Sequence, residues 1–184
     1  PAGSNVNVIV WLVRHGETDW NAAGRFQGWT DVPLNETGRA QANRLGESLG
    51  RHIFDGIWSS DLVRAIETAR IAVGEPAVDR RLREMDFGDI EGAVWSELDE
   101  SIRAGLKEFD SFRSPGGESA SDFVERVFGF LDDLTPGRHV VFAHGGVIRA
   151  IGRACGSDGF PSHADVVKVD WTSRLSLESD GGPA

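Results

Sequence analysis

Residues Trp11 to Asn21 read WLVRHGETDWN. Just upstream, NVIVWLV (Asn7 to Val13) is rich in β-branched residues and apolar without alternation. That pattern predicts a strand buried on both faces, as in a parallel sheet covered by helices. The apolar run stops at Arg14, His15 and Gly16, with Glu17, Thr18 and Asn21 close behind. Ionisable groups at the end of a core strand demand a chemical reason.

Further along, strands and helices alternate. A helix is expected from Asn35 or Thr37 to about Arg51, with Ala42, Leu45 and Leu49 on one face. GIWSS (Gly56 to Ser60) reads as a short strand, and Asp61 is expected to cap a helix along which Leu62, Ala65, Ile66, Ala69 and Val73 recur. EMDFGDIEG (Glu84 to Gly92) reads as an acidic loop, and a helix is expected from about Trp95 to Lys107. RSPGGES breaks the pattern. Ser119 with Asp122 then resembles a capping pair ahead of Val124, Val127, Phe128 and Leu131. RHVVFA is a second central strand, followed by HGG and a helix through Ile148, Ile151 and Cys155; VVKVDW and SRLSL close the chain as a hairpin. This alternation predicts an α/β fold: one domain over residues 1–184, a three-layer α/β/α sandwich with a mainly parallel central sheet.

Composition narrows the function. The chain of 184 residues is long enough to bury a substantial core, and 40% apolar with 26% charged residues is ordinary for a globular protein. No apolar run reaches the length of a membrane span. The leading PAGSNVN lacks a basic and apolar signal, so export is not expected, a cytoplasmic location is, and the NET acceptor at Asn35 carries no weight. A net charge of −10 with no lysine or arginine block argues against nucleic acid and anionic membranes as partners. Lys107 and Lys168 are the two lysines, so the positive charge is nearly all arginine, the residue suited to forked grips on phosphate or carboxylate. Cys155 stands alone, which excludes an intrachain disulfide or a cysteine-type zinc site and suggests a buried, inert thiol.

In a sheet of this kind ligands bind beyond the carboxyl ends of the strands. Arg14 and His15 leave the first strand there, and His144 leaves RHVVFA in the same manner. Ser59 and Ser60 end the strand before Arg64, which lies one turn into the next helix. Separately, each has a bland reading: a solvated arginine, a turn histidine, or, for Glu84 beside Asp86, Asp89 and Glu91, a solvated acidic face. Together they suit phosphate. Two guanidiniums can hold a tetrahedral oxyanion, a neutral imidazole is a competent nucleophile toward phosphorus, and a protonated carboxyl can serve the leaving alkoxide. His52 and His139 lack such company and read as structural.

LVRHGETDWN, SSDLVRAIETA, LREMDFGDIEG and AHGGVIRA, in that order over roughly Val8 to Ile151, resemble the histidine phosphatase superfamily, also called phosphoglycerate mutase-like. The resemblance implies an α/β/α sandwich, His15 as the nucleophile that becomes phosphorylated, and Glu84 as proton donor. It implies that Arg14, Arg64 and His144 complete the phosphate pocket, with Asn21, Gln27, Gly28 and Gly145 binding substrate. No metal or cofactor is implied. The partner would be a small phosphate ester; the residues leave the oligomeric state open.

Within that family the sequence favours a phosphomonoesterase. Cofactor-dependent mutases carry an extra segment with paired arginines and a lysine after the acidic loop, whereas Trp95 stands where the lysine is expected and Phe87 where mutases have an aromatic hydroxyl. Residues 95–119 offer only Arg103, Lys107 and Arg113. The alternatives are a 2,3-bisphosphoglycerate-dependent mutase and an α-ribazole phosphatase. His163 stands where an asparagine or small residue is expected, and either faces the leaving group or lies on the surface. Outside the family, a metallohydrolase using His15, His144, Asp86 and Asp89, or a phosphate-binding module without turnover, would form no phosphohistidine.

Overall fold

The computed structural model describes residues 7–178, so the PAGSNVN stretch lies, apart from Asn7, outside the described residues. The chain forms β1 (Val8–Arg14), α1 (Asp19–Ala22), α2 (Glu36–Leu49), β2 (Gly56–Ser59), α3 (Val63–Ala72), β3 (Ala77–Val78), α4 (Glu100–Glu108), α5 (Ala120–Asp132), β4 (Gly137–Ala143), α6 (Gly145–Ala154), β5 (Val166–Asp170) and β6 (Leu175–Leu177). The sheet order is β3-β2-β4-β1-β5-β6. β1 to β4 are mutually parallel; β5 runs antiparallel to β1 and β6 antiparallel to β5. The expected α/β sandwich with a mainly parallel sheet is present.

Both faces of β1 are covered, which accounts for its unbroken apolar run. Val8, Val10 and Leu12 enter one core with Val127, Phe130 and Leu131 of α5 and Ile148 and Ile151 of α6. Trp11 and Val13 enter the other with Leu45 and Leu49 of α2 and Ala69 of α3. Each fully buried aliphatic or aromatic side chain contributes about 1.5–3 kcal/mol. His52 packs its ring 5.6 Å from Trp11, and His139 hydrogen-bonds the Thr135 carbonyl at 2.9 Å, so both are structural histidines.

Three local expectations are corrected. Asp61 does not cap α3: Leu62 is the N-cap, and the Asp61 carboxylate instead takes both ends of the Arg83 guanidinium at 2.7 and 2.8 Å. The helix expected from Trp95 is interrupted. Trp95–Glu97 is a single 3-10 turn, and Asp99 holds an extended backbone from which α4 starts. Ser119 does cap α5 through the Asp122 amide, but the Asp122 carboxylate turns to Arg113 at 3.3 Å rather than closing a capping box. β3, with two residues, and α1, with four, are too short to give a periodic signal.

The loop after β1 is clamped onto α2 by backbone contact. A Cβ on Gly38 would fall 2.1 Å from the Glu17 carbonyl oxygen, and one on Gly16 would fall 2.5 Å from the Gly38 carbonyl oxygen. Only glycine fits at either place. Asn35 caps α2 by accepting from Gly38 N at 2.9 Å and donates to Glu17 at 2.9 Å, so the same junction is tied from both sides.

Candidate active site

The parallel strands bring three carboxyl ends to one edge. Arg14 of β1 pairs in register with Ala143 of β4, and Ser59 of β2 with Phe142. His15 follows Arg14 directly and donates its backbone N–H to the Ala143 carbonyl at 3.1 Å. His144 is the N-cap of α6 and makes no side-chain capping bond. The His15 and His144 rings lie 5.2 Å apart. Arg64, in the first turn of α3, is completely buried, as is His144.

The backbone fixes the state of His15. Its Nδ1 lies 2.6 Å from the Gly16 carbonyl oxygen. A carbonyl only accepts, so Nδ1 carries the proton and the lone pair sits on Nε2. Burial, then Arg64, hold this imidazole well below its ordinary pKa, and burial and Arg64 do the same to His144. Both rings are neutral at neutral pH.

Arg64 gives Nη2 to the Gly28 carbonyl at 2.7 Å and Nη1 to the Thr30 carbonyl at 3.1 Å. Burial presses it down to about 10, still cationic at neutral pH. Arg14 gives Nη1 to the Pro161 carbonyl at 2.7 Å. Among the described residues, the buried side-chain nitrogens with no hydrogen-bond partner in the protein are Nε of Arg14, Nε of Arg64, both ring nitrogens of His144 and Nε2 of His163. Buried polar groups in proteins are nearly always satisfied. Four of these five belong to the residues gathered at the strand ends, and a tetrahedral oxyanion would supply the acceptors they lack.

Glu84 completes the set. Its Oε2 accepts from Gly146 N, at the start of α6, and its Oε1 from Met85 N, both at 2.9 Å. Burial raises its pKa; those two amides, Arg64 and Arg14 oppose the rise without cancelling it. A Cβ on Gly146 would lie 2.3 Å from Glu84 Oε1, so the carboxyl has this position only because residue 146 is glycine.

A cavity of about 630 Å³ opens at this point, and Arg14, His15, Asn21, Gln27, Glu84 and Gly145 line it. Arg64 and His144 sit behind this lining. Gly28 reaches the site only through its carbonyl, which orients Arg64. Asn21 spends its Oδ1 on Thr18 N at 3.0 Å, and Gln27 Oε1 lies 2.7 Å from Thr18 Oγ1. Thr18 thereby orients both side-chain amides at the cavity wall. The Asp86 carboxylate accepts from Gly88 N, and among the described residues no three histidine, cysteine, aspartate or glutamate side chains gather as a metal-binding group.

Several contributors escape sequence reasoning. Arg126, on α5, donates to the carbonyls of Arg81, Arg83 and Glu84 at 2.7–2.8 Å and to Glu118 at 2.6 and 2.9 Å. It therefore holds the backbone that carries Glu84. Trp29 Nε1 donates to the same Glu84 carbonyl at 2.9 Å. Glu91 accepts from Trp29 N at 2.7 Å and from Thr30 N at 2.8 Å. Thr68 accepts from Gly16 N at 3.0 Å, tying the loop after β1 to α3. His163 is half-buried with its ring 6.0 Å from that of His15, and burial lowers its pKa to about 4. It lines a separate groove beside α2 rather than the Glu84 cavity.

Arg126→Met is expected to cost about 1–3 kcal/mol, because it leaves the half-buried Glu118 carboxylate and three backbone carbonyls without their donor. It should also shift the pH dependence set by Glu84, which a merely structural loss would not do. Arg126→Lys should not restore that profile, since a single ammonium cannot serve three carbonyls and a carboxylate. Thermal melts and pH–rate profiles of the two variants check this.

A profile of the histidine phosphatase superfamily (branch 1) matches residues 10–183. Phosphoglycerate mutase-like protein 4 of Arabidopsis thaliana is 41% identical over 155 residues, covering 76% of this chain and 67% of that protein. The metal-independent phosphoserine phosphatase of the same plant is 38% identical over 163 residues, covering 80% and 68%. A crystal structure described as phosphoglycerate mutase from Thermus thermophilus superimposes with a TM-score of 0.86 at 48% identity, covering 92% of this chain and 96% of that one.

Proposed function

The chain belongs to the histidine phosphatase superfamily, and from that premise we propose that it is a metal-independent phosphomonoesterase acting on small phosphorylated metabolites through a phosphohistidine. The observation that carries this reading is the pairing of a neutral buried imidazole, with its lone pair on Nε2, and a carboxyl of raised pKa on one cavity.

In the first step His15 Nε2 attacks phosphorus. The P–N bond forms as the ester P–O bond breaks, and its electron pair leaves on the ester oxygen. Glu84 gives that oxygen its proton, so an alcohol departs rather than an alkoxide. The proton stays on Nδ1, hydrogen-bonded to the Gly16 carbonyl, and fixes the ring while phosphorus is bound. Arg14, Arg64 and His144 take up charge on the equatorial oxygens. In the second step water attacks phosphorus, the Glu84 carboxylate accepts the water proton, and the P–N electron pair returns to Nε2. Inorganic phosphate leaves and both side chains are reset.

Support for hydrolysis over mutase chemistry comes from two of the three cations of residues 95–119. Arg113 is paired with Asp122 at 3.3 Å, and Lys107 lies 5.9 Å from the Trp95 ring centre. A mutase needs a second anion grip to retain a bisphosphate while it turns over. The names of several relatives favour the mutase reading instead. Assay of 3-phosphoglycerate with and without bisphosphate separates the two. Phosphate release faster than conversion to 2-phosphoglycerate is expected, and the reverse order would make the protein a mutase.

A further inference from the structure

We propose that the leaving-group side of this cavity is built for a phosphate ester with an aromatic body and no second anionic group. The proposal rests on the phosphomonoesterase reading only for where the phosphate sits. The most exposed large apolar side chains among the described residues are Ile53, Val78, Trp95, Phe160 and Leu175. The two aromatic ones, at 43% and 60% exposure, both line this one cavity. Exposed aromatic rings gathered in a concave site mark a surface that a ligand covers.

The rings line the cavity in two groups. In one group Trp95 stacks over Phe26 at 6.4 Å, and Phe87 meets Phe26 edge-on at 5.5 Å. The second is Phe160, which lies 4.9 Å from the Arg14 guanidinium and against Gly145, where a Cβ would come 2.3 Å from the ring. Phosphorus held at His15 and Arg14 therefore leaves the organic part of the ester in the cavity these rings line. The chain contains no tyrosine, so the walls offer no phenolic hydroxyl.

The lining cations are already engaged. Arg25 donates to the Gly92 carbonyl at 2.6 Å, Arg149 pairs with Asp158 at 2.9 Å, and Arg153 pairs with Asp110 at 3.4 Å. Asp110 itself lines the cavity. A carboxylate on the substrate would have to compete with Asp158 or Asp110 for Arg149 or Arg153, or share Arg25 with the Gly92 carbonyl. An aromatic ring needs no such exchange, and a volume of about 630 Å³ admits one.

The decisive test is binding of two phosphonates, whose C–P bond is not hydrolysed, measured by calorimetry. 2-Phenylethylphosphonate should bind at least about tenfold more tightly than ethylphosphonate. Trp95→Ala should reduce that ratio severalfold, and Trp95→Phe should restore most of it. Trp95 is exposed enough for both variants to fold. Equal affinities, or a ratio unmoved by Trp95→Ala, would overturn the proposal. Turnover of 2-phenylethyl phosphate, ethyl phosphate and 3-phosphoglycerate separates the two claims. If none is hydrolysed while the phosphonate preference stands, the phosphomonoesterase reading fails and the aromatic site survives. If 3-phosphoglycerate is the best substrate, the aromatic proposal fails and the reading survives.

Discussion

Replacing His15 by alanine is expected to lower kcat/KM at least about a thousandfold, a loss of about 4 kcal/mol of transition-state stabilisation, while the protein remains folded. The loss follows from chemistry rather than stability. Among the described residues only His15 combines a lone pair directed by a backbone hydrogen bond with a place on the cavity wall. His144, 5.2 Å away, is sealed behind the lining and has no hydrogen bond to fix its tautomer. It cannot take over the attack. The ring is more buried than a strand-end loop residue suggests, at 3% exposure, so its removal is not free. The cost is one hydrogen bond to Gly16, about 1 kcal/mol, and a small void. Assay on para-nitrophenyl phosphate with a parallel thermal melt checks both parts. Activity above a few per cent of wild type in a folded variant would contradict the nucleophile assignment.

Glu84→Gln is expected to discriminate between leaving groups. Alkyl phosphates should slow by about 10²- to 10⁴-fold, the usual worth of a positioned general acid. Para-nitrophenyl phosphate should slow far less, since its phenolate departs without a proton. The sign of the pH dependence follows from burial. Glu84 must be protonated to donate, and burial raises its pKa, so activity on alkyl esters should fall as pH rises through that raised value. His15 must be neutral to attack, and its lowered pKa places the acid limb well below its ordinary range. The wild-type profile should therefore be a bell lying on the acid side. The glutamine variant should lose the alkaline limb and keep the acid one. Equal slowing of both ester classes would remove Glu84 from the donor role.

The sequence made the sheet and its edge legible for a physical reason. β1 and β4 are buried on both faces, so their apolar runs end sharply where the chain meets the ligand edge, and Arg14, His15 and His144 stand at those ends. What stayed hidden depends on contacts between residues far apart in the chain. Arg126 reaches the Glu84 carbonyl across 42 positions, and Trp29 reaches it across 55. Neither leaves a periodic mark in a sequence. Asp61 illustrates the converse, since it has every local feature of a helix cap yet its carboxylate goes to Arg83. The break before α4 escaped for a similar reason. Trp95 sits in a helical pattern but is held out of the helix as a 3-10 turn stacked on Phe26.

In the proposed mechanism phosphorus passes through Nε2 of His15. Rapid acid-free quench of the enzyme turning over a labelled phosphate ester, followed by peptide mapping, tests it directly. Label bound to the peptide containing His15, stable to alkali, labile to acid and lost in His15→Ala, is the predicted result. Full turnover with no labelled enzyme at any time on the millisecond scale, or label on another residue, would contradict it.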